Sequence, residues 1–174
     1  MSVIRVRDNK DYIEISFEDI KKYHGGLALM AIAVAFRVQQ AAIRELFGTE
    51  PPQRSMLSIL SGHAGPGFRD AFEFVTRAVT RGAYKVDVHY PVAQYDPHRA
   101  QSYAFVISAV EGAAVEVALK DNFLPLEFYD YLAKGRSKAM TTQDVEQFDK
   151  LKLDLSQQAL AWPQEELLTV KRLS

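Results

Sequence analysis

The chain of 174 residues contains no cysteine. This excludes disulfides, thiolate-bound zinc, iron-sulfur ligation and a cysteine nucleophile, so any metal must be held by nitrogen and oxygen donors. There is also no charge of one dominant sign: 21 basic and 22 acidic residues leave a formal net charge of -1, so no field draws the chain to nucleic acid or to an anionic membrane. Long hydrophobic runs are missing too. The longest, Leu27 to Phe36, is about half of the roughly 20 residues that span a bilayer, and it reads as a buried helix closed by Arg37. The N-terminal segment MSVIRVRDNKDYIEIS is charged throughout and lacks the pattern of a signal peptide, which gives the expectation of a cytoplasmic protein without a membrane segment.

The length suits one domain able to bury its own core. Ser16 with Asp19 three positions on predicts the start of a short helix that runs to about Tyr23. His24, Gly25 and Gly26 break it. From Leu27 to Phe47 small and aliphatic residues give way to Arg37, Gln39, Gln40, Arg44 and Glu45 on one recurring face, which predicts a long central helix ended by Gly48 and Pro51-Pro52. Met56 to Leu60 suits an interior strand, followed by the loop Ser61 to Gly67 and a helix over Phe68 to Thr80. The alternation from Tyr84 to Tyr90 predicts a strand, followed by a polar loop from Pro91 to Gln101. Tyr103–Val110 and Ala113–Lys120 flank Glu111-Gly112 as a hairpin.

After Lys120 the sheet reads as complete, and the rest reads as helices. One opens at Leu124-Pro125, one starts at Thr141, and a short tail helix follows Trp162-Pro163. Phe128, Tyr129, Leu132, Phe148, Leu151, Leu155, Leu160 and Trp162 then need cover, which predicts a homodimer with part of this region at the interface. The fold class expected is α/β (α+β), a mixed sheet packed against a long Ala-rich helix. Residues 1–135 would form the α/β domain and residues 136–174 a helical extension packed on the domain or on a partner.

Two loops carry the candidate chemistry. In YHGGLAL, His24 precedes Gly25 and Gly26 at the mouth of the buried helix, where free amides suit a small anionic ligand; the alternative is a histidine cap and a turn. In GHAGPGFRDAF, His63, Gly65 and Gly67 occupy a turn at the carboxyl end of a strand, where open α/β sheets bind ligands; the alternative is a tight structural turn. The second loop matches neither the Walker pattern nor G-x-G-x-x-G. Asp70 in the helix that follows complements the helix dipole. His89 and His98 read as surface histidines. No Ser-His-Asp arrangement, HExxH pair or carboxylate dyad is present in the spacing.

These two loops resemble the E-subunit family of formylmethanofuran dehydrogenase (FwdE-like proteins). That family has a short helix, then H-G-H-x-C-P-G leading into a small-residue helix, and later a strand followed by E-T-D-x-C-x-x-D-A-I-Q. This chain has HGGLALM at the first place and HAGPGFRDAFE at the second. The likeness covers about Ser16 to Lys120, with L-P-x-E-F at Leu124 to Phe128 beyond it. It implies a mixed α/β fold, commonly a dimer, with a site between the two loops. Family cysteines fall at Ala28, Gly67 and Ala78, and the second histidine of the first motif at Gly26.

With the thiolates replaced, the resemblance leaves His24 and His63 as metal ligands, Asp70 as a further donor, and Gly25, Gly26, Gly65 and Gly67 as the ligand cradle. A divalent ion such as zinc or nickel is the cofactor it implies, with no iron-sulfur cluster. The function expected is a ligand- or metal-binding domain. The alternatives are a metal-assisted enzyme using His24 and His63, or an interaction protein with a degenerate site.

Overall fold

A computed structural model describes residues 2–94 and 98–174. Two antiparallel strands, β1 (Ile4–Asp8) and β2 (Asp11–Ile15), form a hairpin that the sequence analysis passed over. Helix α1 (Phe17–His24) starts as expected: Ser16 Oγ accepts from the Asp19 amide while the Asp19 carboxylate accepts from the Ser16 amide, a capping box. Helix α2 (Leu29–Phe47) follows, then a 3₁₀ turn at Arg54–Met56, strand β3 (Leu57–Ser61) and helix α3 (Pro66–Thr76).

Strands β4 (Tyr84–Val86), β5 (Ala104–Ala109) and β6 (Ala114–Leu119) come next, then helices α4 (Leu126–Arg136) and α5 (Thr142–Ala161). A single-turn helix, α6 (Gln164–Leu167), leads into strand β7 (Leu168–Arg172). Residues 95–97 of the expected polar loop lie outside the described residues.

The main sheet has the order β4-β3-β5-β6-β7, with β3 and β4 parallel and every other pair antiparallel. The chain is therefore a mixed-sheet α/β fold. Leu57, Ile59, Phe105, Ile107, Val115, Val117 and Leu119 share one face through the register and are buried. Helices α2 and α3 lie against that face. On the opposite face Glu116 accepts from Tyr90 Oη at 2.5 Å. α2 is the centre of the molecule, with the sheet on one side and α5 along the other. Its Ile32, Ala33, Val34 and Ala35 are fully buried, as a helix apolar all round requires.

Three expectations are corrected. The strand expected from Tyr84 to Tyr90 pairs only as far as Val86; the Asp87 amide caps the ladder on Ser61 O, and the chain turns so that the Tyr90 amide reaches Asp87 O. The sheet is not complete at Lys120, because the tail after α6 is the edge strand β7 paired with β6. A boundary between residues 135 and 136 thus cuts α4 near its end and separates β7 from its own sheet.

The need for outside cover also falls away. Phe128 and Leu155 are buried, Trp162 meets Phe123 edge-on, and Tyr129, Leu132, Phe148, Leu151 and Leu160 pack against the same core. Arg37 ties the end of α5 to α2, since its Nη1 donates to the carbonyls of Ala159, Leu160 and Trp162, at 2.6, 3.2 and 2.8 Å. These carbonyls lie at the negative end of the helix, where a cation is favoured. Among the described residues no helix is long and apolar enough to cross a membrane.

Candidate functional site

The two candidate loops meet where α2 begins beside α3. Contact is closest at Gly67, where a Cβ would lie 2.8 Å from the Cβ atoms of both Ala28 and Ala31. Only a residue without a side chain lets the helices approach so closely. Gly25 has a different role: it ends α1 at φ 90, in the region that favours glycine, and donates to Lys21 O. A side chain at Gly25 or Gly26 would meet nothing within 4 Å, so these two glycines shape a turn and do not admit a neighbouring element.

His24 closes α1 and turns inward. Its Nδ1 lies 2.7 Å from Asp70 Oδ2, with side-chain exposures of 6% and 23%. An ionised carboxylate only accepts, so Nδ1 carries the proton. His24 Nε2 is buried and meets no hydrogen-bond partner among the described residues. Asp70 lies beyond the first turn of α3, which holds no acid, so the dipole role expected of it is corrected. It binds the first loop to the second.

His63 is placed differently. The loop after β3 is pinned by Gly62, whose amide donates to Ala104 O, and by Ser61 Oγ, which donates to His63 O. The imidazole lies between Phe68 and Tyr103, with ring centroids at 4.9 and 4.8 Å. Its Nδ1 accepts from the Gly65 amide at 2.9 Å. Burial among these rings pushes its pKa down from 6.5 to about 4, so the ring is neutral near pH 7 and its proton sits on Nε2.

These facts decide how well a metal fits. His63 has one nitrogen accepting a backbone proton and the other carrying its own proton, so it offers no lone pair without breaking a bond. Asp70 is already engaged by His24. No group of three metal-binding side chains occurs among the described residues. A metal shared by His24 and His63 does not suit this donor set.

What the loops do border is a half-open cavity of about 230 Å³. The first loop contributes Leu27 and Ala28, and the second contributes His63 and the stretch Gly65 to Phe68. Met30 and Ala31 of α2, Tyr103, Phe128 and Leu132 of α4, and Phe148 and Lys152 of α5 complete the wall. His24 and Asp70 are outside it. In the sequence, the glycine-rich turn marks His63, Gly65 and Gly67, whereas Phe128, Leu132 and Phe148 read only as apolar surface needing cover and Tyr103 and Lys152 leave no signal of a site.

Lys152 Nζ donates to Leu27 O at 2.9 Å and lies 4.6 Å from the centre of the Phe148 ring. It thereby fastens α5 to the first loop across the mouth of the cavity. No protein-family model and no curated protein matches this sequence.

Proposed function

We propose that this chain is a small-molecule-binding domain of the FwdE-like type, with its site at the junction of the YHGG and GHAGPG loops. The observation that carries the reading is the cavity itself, since one apolar space takes wall residues from both loops at the carboxyl end of β3. The hydrogen bond between His24 and Asp70 supports it by holding the two loops together beside that space. The proposal is placed on ligand binding and not on metal chemistry, because His63 has its lone pair committed to Gly65.

A titration of the isotope-labelled chain with benzyl alcohol, an uncharged apolar probe, tests the reading. Saturable amide shifts are expected at Ala28, Gly65 and Gly67, and Leu132→Trp, which fills the space, should abolish them. Shifts absent from these positions, or unchanged in the filled variant, would overturn it.

A second copy of the chain is proposed only for the apolar side chains that this fold leaves out. Leu126, Val145 and Leu153 on α4 and α5 are 59%, 45% and 41% exposed. Light scattering near twice the chain mass supports a homodimer there, and a clean monomer at micromolar concentration removes it.

A further inference from the structure

The cavity between the two loops has a chemical bias as well as a shape. None of the described residues that line it is Asp or Glu, and the polar side chains among them, His63, Tyr103 and Lys152, can each donate. His63, neutral and with Nδ1 accepting from Gly65, presents Nε2–H. Tyr103 is 3% exposed, and burial keeps its phenol protonated. Gly67 and Phe68 belong to the first turn of α3, where backbone amides have no acceptor inside the helix and the dipole favours negative charge.

Lys152 adds a full positive charge. Its ammonium carries three protons, of which one meets Leu27 O and another faces Asp149 at 3.4 Å. Asp149 is 63% exposed and pairs directly with Lys152, which leaves one ammonium proton for a ligand; Lys152 itself is 15% exposed and lies over Phe148. The rest of the wall is hydrocarbon: Met30, Ala31, Phe128, Leu132 and Phe148. At about 230 Å³ the space is smaller than the roughly 300–1,000 Å³ of sites for drug-sized molecules, which limits the occupant to a compact one.

We infer that the cavity binds a compact apolar carboxylate, with its anionic end held by Lys152, His63 Nε2 and the start of α3 and its hydrocarbon part among Met30, Phe128 and Phe148. The inference rests on the reading of this cavity as the binding site. A buried carboxylate needs several hydrogen bonds to repay its desolvation, and this wall supplies donors, for one of which, Lys152, Asp149 competes.

Three probes test it on the full chain at pH 7.5: 4-methylbenzoate, its uncharged amide of the same shape, and toluene, which lacks the polar group, each titrated by calorimetry and by amide shifts. The acid should bind at least tenfold more tightly than the amide, with an advantage that shrinks as salt is raised. Lys152→Met should weaken the acid about tenfold more than it weakens toluene. Equal affinity for acid and amide, or equal loss of acid and toluene in Lys152→Met, would overturn the inference. The comparison of acid with amide uses the wild-type chain, so it stands if the variant fails to fold. Toluene binding with no preference for the acid sinks the carboxylate inference alone, whereas no shift from any of the three probes sinks the binding site with it.

Discussion

His24 Nδ1 donates to Asp70 Oδ2 at 2.7 Å across 46 positions of sequence, joining the last residue of α1 to the start of α3. The bond fixes the imidazole while leaving Nε2 buried without a partner among the described residues. Asp70→Ala would leave both ring nitrogens of His24 unsatisfied and should cost about 1–3 kcal/mol. Adding His24→Leu to that variant should recover part of the loss, because it removes the stranded polar group. Urea unfolding of the single and double variants measures both, and an Asp70→Ala midpoint equal to wild type would show that the bond contributes nothing.

The donor geometry makes a prediction about metal removal. Since His63 and Asp70 are committed to Gly65 and His24, dialysis against a strong chelator should leave the thermal midpoint unchanged. Addition of one equivalent of zinc or nickel should not raise it. A metal bound tightly to the native chain would stabilise it by mass action, so a clear rise on addition would reverse this account.

His63 gives a pH dependence whose sign follows from its burial. Its folded pKa is depressed to about 4 while the unfolded value is near 6.5, so between these values the unfolded chain binds the proton and the native chain does not. The stability supplied by a neutral His63 is full above about pH 6.5 and is lost progressively as the pH falls towards 4. The loss should be roughly 3 kcal/mol, at 1.36 kcal/mol per pKa unit. Unfolding free energies at pH 7.5 and 4.5 measure the slope in wild type, and His63→Gln should flatten it by that amount. An identical slope in the variant would place the dependence elsewhere.

Close packing around the start of α3 is the next test. Gly67→Ala sets a methyl group 2.8 Å from two others, and Ala33→Leu adds bulk at a fully buried position of α2. Each should cost about 1–3 kcal/mol through overpacking. A denaturation midpoint unchanged in both would mean that α2 is not clamped between the sheet and its neighbours.

Most of the helical frame was legible in the sequence because local signals set it. Ser16 with Asp19 and Thr141 with Asp144 form the reciprocal caps that start α1 and α5. The apolar run from Leu27 marked the buried half of α2. Missing were elements decided by a partner far away in sequence.

β7, with the sequence LTVKR, alternates only at Leu168 and Val170 directly after a helical turn, and it becomes a strand by pairing with the edge of β6. The β1-β2 hairpin did leave a signal, as Ile4 and Val6 alternate with charged residues and Asn9 takes the positive φ of 57 at the turn. At the site, the sequence pointed to the two loops, yet it could not show that His24 turns to Asp70 while His63 turns to Gly65. Both histidines precede a glycine or alanine and a helix start, and only packing separates their roles. Lys152 lies 125 positions from Leu27, so its place at the cavity mouth had no local trace.

The existence of an apolar site between the loops is tested most directly by a crystal of the chain under xenon gas. Xenon occupies dry hydrocarbon cavities and asks nothing of polar chemistry. The account predicts a xenon atom among Ala31, Phe68, Phe128 and Phe148, in the space that His63 and Gly67 also wall. Diffraction showing no xenon there, with Phe128 and Phe148 collapsed against α3, would contradict it.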